Sequence, residues 1–525
     1  FHASGQGILY AGTHGNGIYG HSQGTDQQTY LDVMFNLDKS FGKDYRLTAN
    51  LGASLEDYRS SSVGFGGPIL KVPNLFSSSA LDPINARPSD SEFRKRNTAI
   101  FASAELSWKD MLFLSMTGRN DWSSLLVNAK EPSFFYPSVG LSAVISQMAK
   151  LPEFINYLKV RGSYTEVGSP ISKTGITPGT ITHELTADGL KTNKVYPYPE
   201  FKAERTTSWE AGLNTKLFGN SLSVDLTLYK SNTYNQFFEQ QLSASSIYSS
   251  FYLQAGNVEN RGIELSVNYN KEFLNKELNW NSTLTYSRNV NEIKELVRGY
   301  RNPFTGELFD ITEVRKGSTV LREGGSMSDV VVRGVLLRDV NGDLIEEASQ
   351  YKFDKTQEVK LGRSTPDFQM GWRNTLSYHN IDFSFLFNGS FGGVVLGGTQ
   401  PILDAYGVSK ASADARDAGG VYVNGKLYNP EKYYNTIKDL AGYYSYDATN
   451  VRLQEVSLNY TLDGKHFWDK VKSVTIGAIG TNLWMIYNKA PFDPQLTFGI
   501  GTYAATEYFM TPSAATYGAS LKIKF

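Results

Sequence analysis

The sequence predicts an all-β protein, an antiparallel transmembrane β-barrel of the outer-membrane type. Three observations support this prediction. Apolar and polar residues alternate with a period of two along most of the 525 residues, and many alternating segments are long enough to cross a bilayer. In addition, short and long connections between these segments follow one another in turn, as tight turns and extended loops do in such barrels.

The alternation is clearest in four segments, at 31–37, 222–228, 263–270 and 381–387. In the second of them, leucine and valine occupy every other position, and serine, aspartate and threonine stand between them. Such a strand has one apolar face and one polar face. Because a soluble β-sandwich alternates in the same way, strand length and spacing must distinguish the two folds.

Sixteen strands are predicted, and many exceed the length of about five or six residues that is typical of soluble strands. They are 5–20, 28–40, 43–60, 94–108, 111–121, 136–147, 157–168, 205–218, 221–238, 258–271, 276–290, 365–378, 381–393, 448–462, 472–487 and 515–525. A tilted strand needs about 9–11 residues to cross a bilayer. We therefore expect a transmembrane barrel with about sixteen strands in this chain, rather than a soluble all-β domain.

The connections between the predicted strands fall into two classes. Short ones hold two to five residues, as at 109–110 and 379–380. The long ones are 61–93, 169–204, 291–364, 394–447 and 488–514. Soluble domains seldom have so many loops beyond about 15 residues. If short turns are periplasmic, the connections 169–204, 291–364 and 394–447 all follow ascending strands and should meet on the extracellular side.

The chain ends in an alternating segment, Tyr517–Phe525, whose last residue is aromatic. Outer-membrane barrels commonly finish on such a strand, and the assembly machinery reads the terminal aromatic residue. An apolar row at the end of a soluble sheet would be an unprotected edge. The segment therefore favours a barrel over a soluble sheet.

The composition argues against several other classes of protein. Its 51 lysines and arginines balance 52 aspartates and glutamates, so no nucleic-acid partner is expected, since such binders normally have a clear basic surplus. Cysteine is absent, which rules out disulfides. Histidine occurs only six times, so a histidine metal centre is poorly supported. The longest apolar run is Leu483–Tyr487, far shorter than the about 20 residues of a spanning helix.

Five short segments stand in a distinctive order along the chain. They are YPSVG at 136–140, ERTTSWEAG at 204–212, AGNVENRGIE at 255–264, VRLQEVSLNY at 451–460 and GTNL at 480–483. In sequence and in order they resemble the SusC/RagA family of TonB-dependent outer-membrane transporters. This resemblance extends over most of the chain.

The resemblance implies a barrel of about 22 strands, preceded by a signal peptide, a small β-sandwich, a TonB-binding box and a plug domain. The plug domain has no counterpart in this chain segment. Residues 1–525 are therefore expected to be the C-terminal part of the barrel with its long extracellular loops. A sheet that lacked the remaining strands would leave open edges in lipid, so other residues of the full protein should close it.

By the same resemblance, the function is active import of a large nutrient, an oligosaccharide or an oligopeptide, across the outer membrane of a Gram-negative bacterium. The energy would come from TonB, through an N-terminal region that is not in this chain. A SusD-like surface lipoprotein would close over the barrel as a lid, and two transporter–lid pairs would form a dimer. The lipid bilayer is the remaining partner.

Two other functions stay open. A TonB-dependent receptor for a metal chelate or cobalamin would share the barrel without a lid. An outer-membrane barrel enzyme would need a paired nucleophile and base, and the chain has neither a G-x-S-x-G elbow nor a P-loop motif. We therefore predict no catalytic residue. Carboxylates spread one to a strand, at Asp32, Asp225, Glu264 and Asp382, are interpreted as solvated groups of the lumen.

Aromatic residues make up 13% of the sequence and fall into two groups. Those in the apolar rows near strand ends, such as Tyr269 and Tyr460, are expected to form interfacial girdles. Aromatic residues of the loops can instead stack on sugars or hold peptide side chains, or simply pack loop against loop. Those predicted to contact substrate or lid are Trp122, Tyr443, Tyr444, Tyr446 and Tyr503.

One loop segment has the spacing of a calcium site. Asp339, Asn341 and Asp343 stand at positions 1, 3 and 5, as in calcium-binding loops. However, Leu344 replaces the turn glycine, and Gln350 stands where such loops have a bidentate glutamate. A structural Ca²⁺ is the one cofactor that the sequence suggests, and a plain turn is the alternative interpretation.

Overall fold

The protein is built around one large antiparallel sheet. The computed structural model describes the chain except at residues 1, 5–15, 71, 74, 171–183, 187–188, 192–194, 197–200, 242–247, 303–305, 317–318, 465–469 and 498–504. The predicted all-β fold class is confirmed, because long strands supply the sheet and the few helices lie in the connections.

The long strands pair side by side in chain order, each antiparallel to the next. They are Ile18–Phe41, Tyr45–Pro68, Arg87–Trp108, Leu112–Ser123, Ser133–Val144, Ile155–Ser169, Glu204–Leu217, Leu222–Gln241, Ser250–Phe273, Leu278–Glu295, Phe368–Tyr378, Ile381–Phe391, Asn450–Asp463, Ser473–Asn488 and Thr516–Lys524. The short strand His2–Ser4 pairs with the start of the first of these. Among the described residues, the last strand pairs only with Ser473–Asn488, so the sheet does not close on itself there.

The two faces of the sheet differ in chemistry, because the period of each strand is two. The register places Leu31 beside Leu55 and Phe35 beside Leu51 on one face. Phe35 and Leu228 are 73% and 48% exposed, although they belong to the regular apolar rows. A soluble sandwich buries such rows, whereas a barrel wall turns them toward lipid. The apolar rows are therefore the outer face of the wall, and the polar rows are its inner face.

The two ends of the sheet differ as well. At one end, which we call the turn end, short connections use backbone conformations with positive φ. Phe218, Gly219 and Asn220 have φ of 54°, 67° and 68°, and His379 has φ of 50°. Such left-handed residues let a short connection follow the twist of its strands. At the other end, the loop end, the long connections are 69–86, 170–203, 296–367, 392–449 and 489–515.

Helices and short strands lie in the connections. The helices are Ile145–Met148, Thr399–Ala405, Lys410–Asp417 and Pro430–Ile437, with 3₁₀ turns at Ser78–Ala80, Ser124–Leu126, Leu274–Lys276 and Ala441–Tyr444. The short strands are Glu184–Thr186, Gly189–Lys191, Val195–Tyr196, Val297–Arg301, Leu308–Ile311, Glu313–Lys316, Thr319–Arg322, Asp329–Leu336, Glu346–Glu347, Gln350–Tyr351, Phe353–Arg363, Val394–Gly397, Val421–Val423, Lys426–Tyr428, Ser445–Asp447 and Thr506–Glu507. Within the described ranges, no helix is long and apolar enough to cross a bilayer.

The first two predicted strands need correction. Of the predicted strand 5–20, residues 5–15 lie outside the described residues, and 18–20 belong to the strand Ile18–Phe41. Because Ile18–Phe41 is one continuous strand, the predicted strand 28–40 begins too late. The residues just before 28 are rich in serine, glutamine and glycine. This part of the strand has no apolar alternation by which it could be predicted. It is held by backbone hydrogen bonds to the strand Tyr45–Pro68.

The predicted loop 61–93 is also too long. Two neighbouring strands, Tyr45–Pro68 and Arg87–Trp108, enter it from both sides, and residues 61–66 pair with 87–92. The connection that remains is 69–86. This hairpin extends beyond the apolar rows, where water solvates polar side chains on both faces, so the backbone ladder continues without an apolar pattern.

We expect Leu265→Arg to impair assembly of the barrel, because Leu265 lies between Leu226 and Tyr286 in the middle of the outer face. An arginine on the lipid face near the bilayer centre costs about 2–4 kcal/mol. The matched control is Ser266→Arg, on the inner face opposite Asp225. Folding into lipid vesicles, followed by gel mobility before and after heating, should fail for L265R alone. Equal losses in both variants would contradict the assignment of the two faces.

Candidate functional site at the loop end

Two long connections pack against each other at the loop end and form what we call the loop module, residues 326–363 with 394–447. Its strands Asp329–Leu336 and Phe353–Arg363 pair antiparallel. Its hydrophobic core comes from both connections and consists of Leu336, Leu344, Tyr351, Ala415, Tyr428, Tyr434, Ile437, Leu440 and Tyr444. Because each connection buries apolar surface on the other, the two are held together as one unit.

Hydrogen bonds across this core fix the register of the two connections. The Leu344 backbone N–H donates to the Tyr428 hydroxyl at 3.1 Å, and the Tyr351 N–H donates to Thr436 Oγ1 at 2.9 Å. Both donors are buried backbone groups, which are costly to leave unpaired. The hydroxyl groups of Tyr428 and Thr436 thus accept the hydrogen bonds that carbonyl groups of a neighbouring strand would accept in a sheet.

Tyr443 and Tyr444, two of the three predicted contact residues in this module, occupy different environments. Tyr444 is 3% exposed within the core. Burial raises the pKa of its phenol, and the Asp404 carboxylate adds to the rise. Tyr443 is 39% exposed, and its hydroxyl accepts a hydrogen bond from the Leu336 backbone N–H at 3.2 Å. Tyr444 is therefore a packing residue, whereas Tyr443 keeps part of its ring open to solvent.

Of the remaining three predicted contact residues, Tyr446 belongs to the module and packs on its core, whereas Trp122 and Tyr503 lie outside it in sequence. Tyr446 packs edge-on against Phe492, with ring centroids 5.8 Å apart. Trp122 lies opposite Thr98, which places it in the outer-face row at the loop end, where interfacial aromatic residues of barrels lie, and not on the wall of the lumen. Tyr503 lies outside the described residues. Contact of any of these side chains with substrate or lid stays a prediction.

The candidate calcium loop forms a compact turn. Asp339 Oδ1 accepts hydrogen bonds from the backbone N–H groups of Asn341 at 2.8 Å and Asp343 at 3.0 Å. The Asp343 carboxylate lies 2.7 Å from Lys426 Nζ and also accepts from Tyr428, and Lys426 is the main cause of its lowered pKa. Calcium binding stays a prediction, and it would require Asp343 to leave this lysine.

The inner face carries the polar groups of the lumen. By register these include the four predicted carboxylates, Asp32, Asp225, Glu264 and Asp382. A recess of about 390 Å³ lies beside two of them, Asp225 and Glu264. The inner face can thus offer hydrogen bonds to a hydrated ligand.

An arginine on the inner face neutralises one of these carboxylates. Arg161 Nη2 lies 2.9 Å from Asp225 Oδ1, and Asn214 donates to Oδ2 at 2.7 Å. The arginine reaches Asp225 by lying across Gly212 on the intervening strand, where an added Cβ would come within 2.4 Å of Arg161 Nε. Sequence patterns found the carboxylate but missed Arg161, because strand register brings the two together across 64 residues.

A buried ion pair joins a third long connection to the wall. The side chains of Arg452 and Asp493 are 4% and 7% exposed, with Nη2 2.7 Å from Oδ1. The amide oxygens of Asn450 and Asn482 accept further hydrogen bonds from Arg452. Burial opposes ionisation of Asp493, but its hydrogen bonds, chiefly that from Arg452, hold its pKa below the ordinary value. Arg452 lies within the VRLQEVSLNY motif, yet no sequence signal indicated Asp493.

The long antiparallel order, the apolar outer face and the loop end together define the wall of an outer-membrane β-barrel. A model of the family "TonB dependent receptor-like, beta-barrel" matches residues 2–313. The chain belongs to this family, whose members are transporters and receptors of the outer membrane.

Curated relatives include the TonB-dependent receptors P26 and P3 of Formosa agariphila. They are 25% identical to this chain over 539 and 546 aligned residues, respectively. The alignments cover 93% and 97% of this chain, but 51% and 53% of the relatives. The chain thus spans about half the length of these receptors.

Solved structures share the fold. The RagAB peptide transporter superimposes with a TM-score of 0.77 at 16% identity, over 97% of this chain and 56% of that chain. The RagAB peptide importer in its "closed-closed" state gives a TM-score of 0.76 at 16% identity, over 97% and 57% of the two chains. At this identity the likeness establishes the fold alone. Together with the family match, it confirms the TonB-dependent outer-membrane barrel predicted from the five motifs.

Replacing Arg452 by methionine should loosen the connection that holds Asp493, because this carboxylate would stay buried without its partner. Breaking one side of a buried ion pair typically costs about 3–5 kcal/mol. Limited proteolysis should then cut within 489–515 at protease concentrations that leave the parent intact. As a control, Arg373→Met removes the more exposed inner-face pair with Glu455, which should matter little. Unchanged protection of the R452M variant would show that the ion pair does not hold this connection.

The stability of the loop end should depend on the ionisation of Asp447. Its pKa is lowered to about 2, chiefly by the hydrogen bond from Lys489 at 2.8 Å and also by Thr449. Because the folded-state pKa lies below the ordinary value of 3.8, the contact stabilises the fold above about pH 4, and this stabilisation is lost as the pH falls toward 2. Asp447→Asn should therefore lower the urea midpoint at pH 7 but not at pH 2. A loss of equal size at both values would contradict this assignment, and Asp414→Asn, in an exposed pair with Lys410, is the control.

Proposed function

We propose that this chain forms the wall and outer mouth of a TonB-dependent importer for a large polar nutrient, an oligopeptide or an oligosaccharide. The loop module is the observation that supports this proposal best. In it, two long connections share one hydrophobic core at the mouth of a polar lumen. A simple pore does not need long connections packed into one unit at its entrance. An importer that closes over its cargo needs a well-ordered surface there.

The chemistry of the inner face supports a hydrated cargo. Both signs of charge and many amide groups occur along it, as in the Arg161–Asp225 pair and the Arg373–Glu455 pair. Asparagines also bond one another across strands, as Asn268 does with Asn281. Groups of this kind exchange hydrogen bonds with peptide or sugar as readily as with water, and no single charge dominates. A large polar molecule of low net charge fits such a lumen.

A partner at the loop end would supply the rest of the binding site. A wide lumen cannot hold a large ligand unaided, since affinity requires a closed and partly desolvated cavity. We propose that a SusD-like surface lipoprotein covers the loop module as a lid, and that TonB acts through the part of the protein outside this chain. The RagAB importer, described in open-open and closed-closed states, supports a lid that opens and closes.

Between the two cargo classes, we propose the oligopeptide first. The RagAB structures with the same fold are those of a peptide transporter. Uptake by cells that express the full-length transporter and its lipoprotein would test this, with fluorescent peptide pools and oligosaccharide pools offered in parallel. Accumulation should stop when a protonophore collapses the proton gradient. Accumulation that is unaffected by the protonophore would exclude TonB-dependent import and indicate passive diffusion.

Replacing Tyr443 and Tyr446 together by alanine should reduce uptake of the preferred cargo or co-purification of the lid. Partly exposed aromatic side chains at a binding surface are worth on the order of 1 kcal/mol each, so a combined loss of roughly thirtyfold is expected. Tyr444→Phe is the matched control, because it keeps the buried ring and removes only the hydroxyl. If the double variant assembles normally and both measurements are unchanged, these two tyrosines serve loop packing alone.

A further inference from the structure

Three arginines surround a single carboxylate on the outer face of the wall. Asp57 accepts from Arg94 Nε at 3.0 Å and from Arg96 Nη2 at 2.7 Å, and Arg59 Nε lies 3.5 Å away. The Asp57 side chain is 12% exposed, whereas those of Arg59, Arg94 and Arg96 are 52%, 44% and 51% exposed. We call these four residues the arginine patch. One carboxylate balances one guanidinium, so the four residues of the patch carry a surplus of two positive charges. The next outer-face residues toward the loop end, Glu92 and Asp90, are acidic and lie on the side away from the apolar rows.

The register shows that the arginine patch faces the membrane and not the lumen. Leu55 pairs with Thr98 in an outer-face row, and Asp57 pairs with Arg96 two positions farther toward the loop end. Trp122, opposite Thr98, lies just below the patch. Because tryptophan concentrates at the membrane–water interface, the patch lies where the apolar rows end and the lipid headgroups begin.

Below the patch, the same strands form an apolar groove of about 510 Å³. Its outer-face lining combines small residues, Ala49, Ala102, Ala104 and Gly118, with the larger Phe35, Leu37, Leu51 and Met116. From Arg96 to Ala102 is about 20 Å along the strand at ~3.3 Å per residue. With a strand tilt of about 40°, that corresponds to about 15 Å along the bilayer normal. This is half of the hydrocarbon core, so the groove reaches the depth at which the acyl chains of one leaflet end.

We propose that the arginine patch and the groove together bind one anionic lipid of the outer leaflet, whose headgroup bears phosphate. Guanidinium groups bind phosphate with paired, charge-assisted hydrogen bonds, and all three arginines keep exposed donors beyond those used on Asp57. An arginine on the lipid face is unfavourable within hydrocarbon but favourable beside a phosphate. A groove whose outer-face lining includes three alanines and a glycine provides space for an acyl chain directly beneath that headgroup.

This proposal concerns the outer face and is independent of the cargo. The occupant is a lipid and not a free phosphate ion, because an ion would make no use of the apolar groove. A second copy of the chain would need to bring its own anionic group to the patch, whereas the leaflet supplies phosphate at that height by itself.

The test uses the full-length transporter purified in detergent, with lipid A as the probe and native mass spectrometry to count the lipid bound. Arg94→Gln with Arg96→Gln should reduce bound lipid A by about tenfold or more. The matched control is Lys95→Gln, which removes a charge between the same two arginines but on the inner face, where Lys95 lies 5.9 Å from the Tyr58 ring centroid. This control should retain the lipid.

Two further measurements separate the headgroup from the groove. Dephosphorylated lipid A should bind the parent protein poorly. The Ala102→Trp variant should assemble normally but bind lipid A more weakly, because the indole fills the groove. Equal binding of the phosphorylated and dephosphorylated forms would overturn the proposal, as would full displacement of lipid A by inorganic phosphate at equal concentration. If the R94Q/R96Q variant changes only the oligomeric state and not the bound lipid, the patch is a contact between copies and the proposal is wrong.

Discussion

Backbone hydrogen bonding in hydrocarbon is the constraint on which the rest of this structure depends. No water is available there to pair with a peptide group, so every strand must have its N–H and C=O groups bonded to neighbours. Among the described residues, the antiparallel ladder meets this demand for every long strand that lies between the two edge strands, Ile18–Phe41 and Thr516–Lys524. The same ladder fixes which residues lie across from one another, and it separates each strand into an outer and an inner row. It also leaves the strand ends as the place for long irregular segments.

The loop end follows from this arrangement. Alternating strand direction brings all long connections to one end. There, outside the lipid, they must bury their apolar side chains against other parts of the protein. They do so by packing on each other, as the core around Tyr351 and Leu440 shows, and by fastening to the wall, as Arg452 does with Asp493. A mouth built in this way is firm enough to present a surface to a partner, while the lumen below stays polar.

The candidate site residues show how far the sequence pattern reaches. Period-two patterns identified Asp225 as a group of the inner face, because the alternation of side chains between the two faces is a local property of a strand. They did not find Arg161, since the contact depends on register across a third strand and on the missing side chain of Gly212. Trp122 was predicted to contact cargo or lid on account of its aromatic ring, whereas its pairing with Thr98 places it in the outer-face row.

The sequence by itself determined the fold class, the two faces and the family, because alternation and short motifs are local features that survive without knowledge of contacts. The strand ends within 61–93 could not be predicted from the sequence, because backbone hydrogen bonds extend this hairpin where its side chains no longer alternate. Only the tertiary structure showed that Tyr444 is buried in a core shared by two connections. Likewise, it alone gathered three arginines around Asp57 above an apolar groove, because residues 37 and 39 positions apart meet only through the register of the sheet.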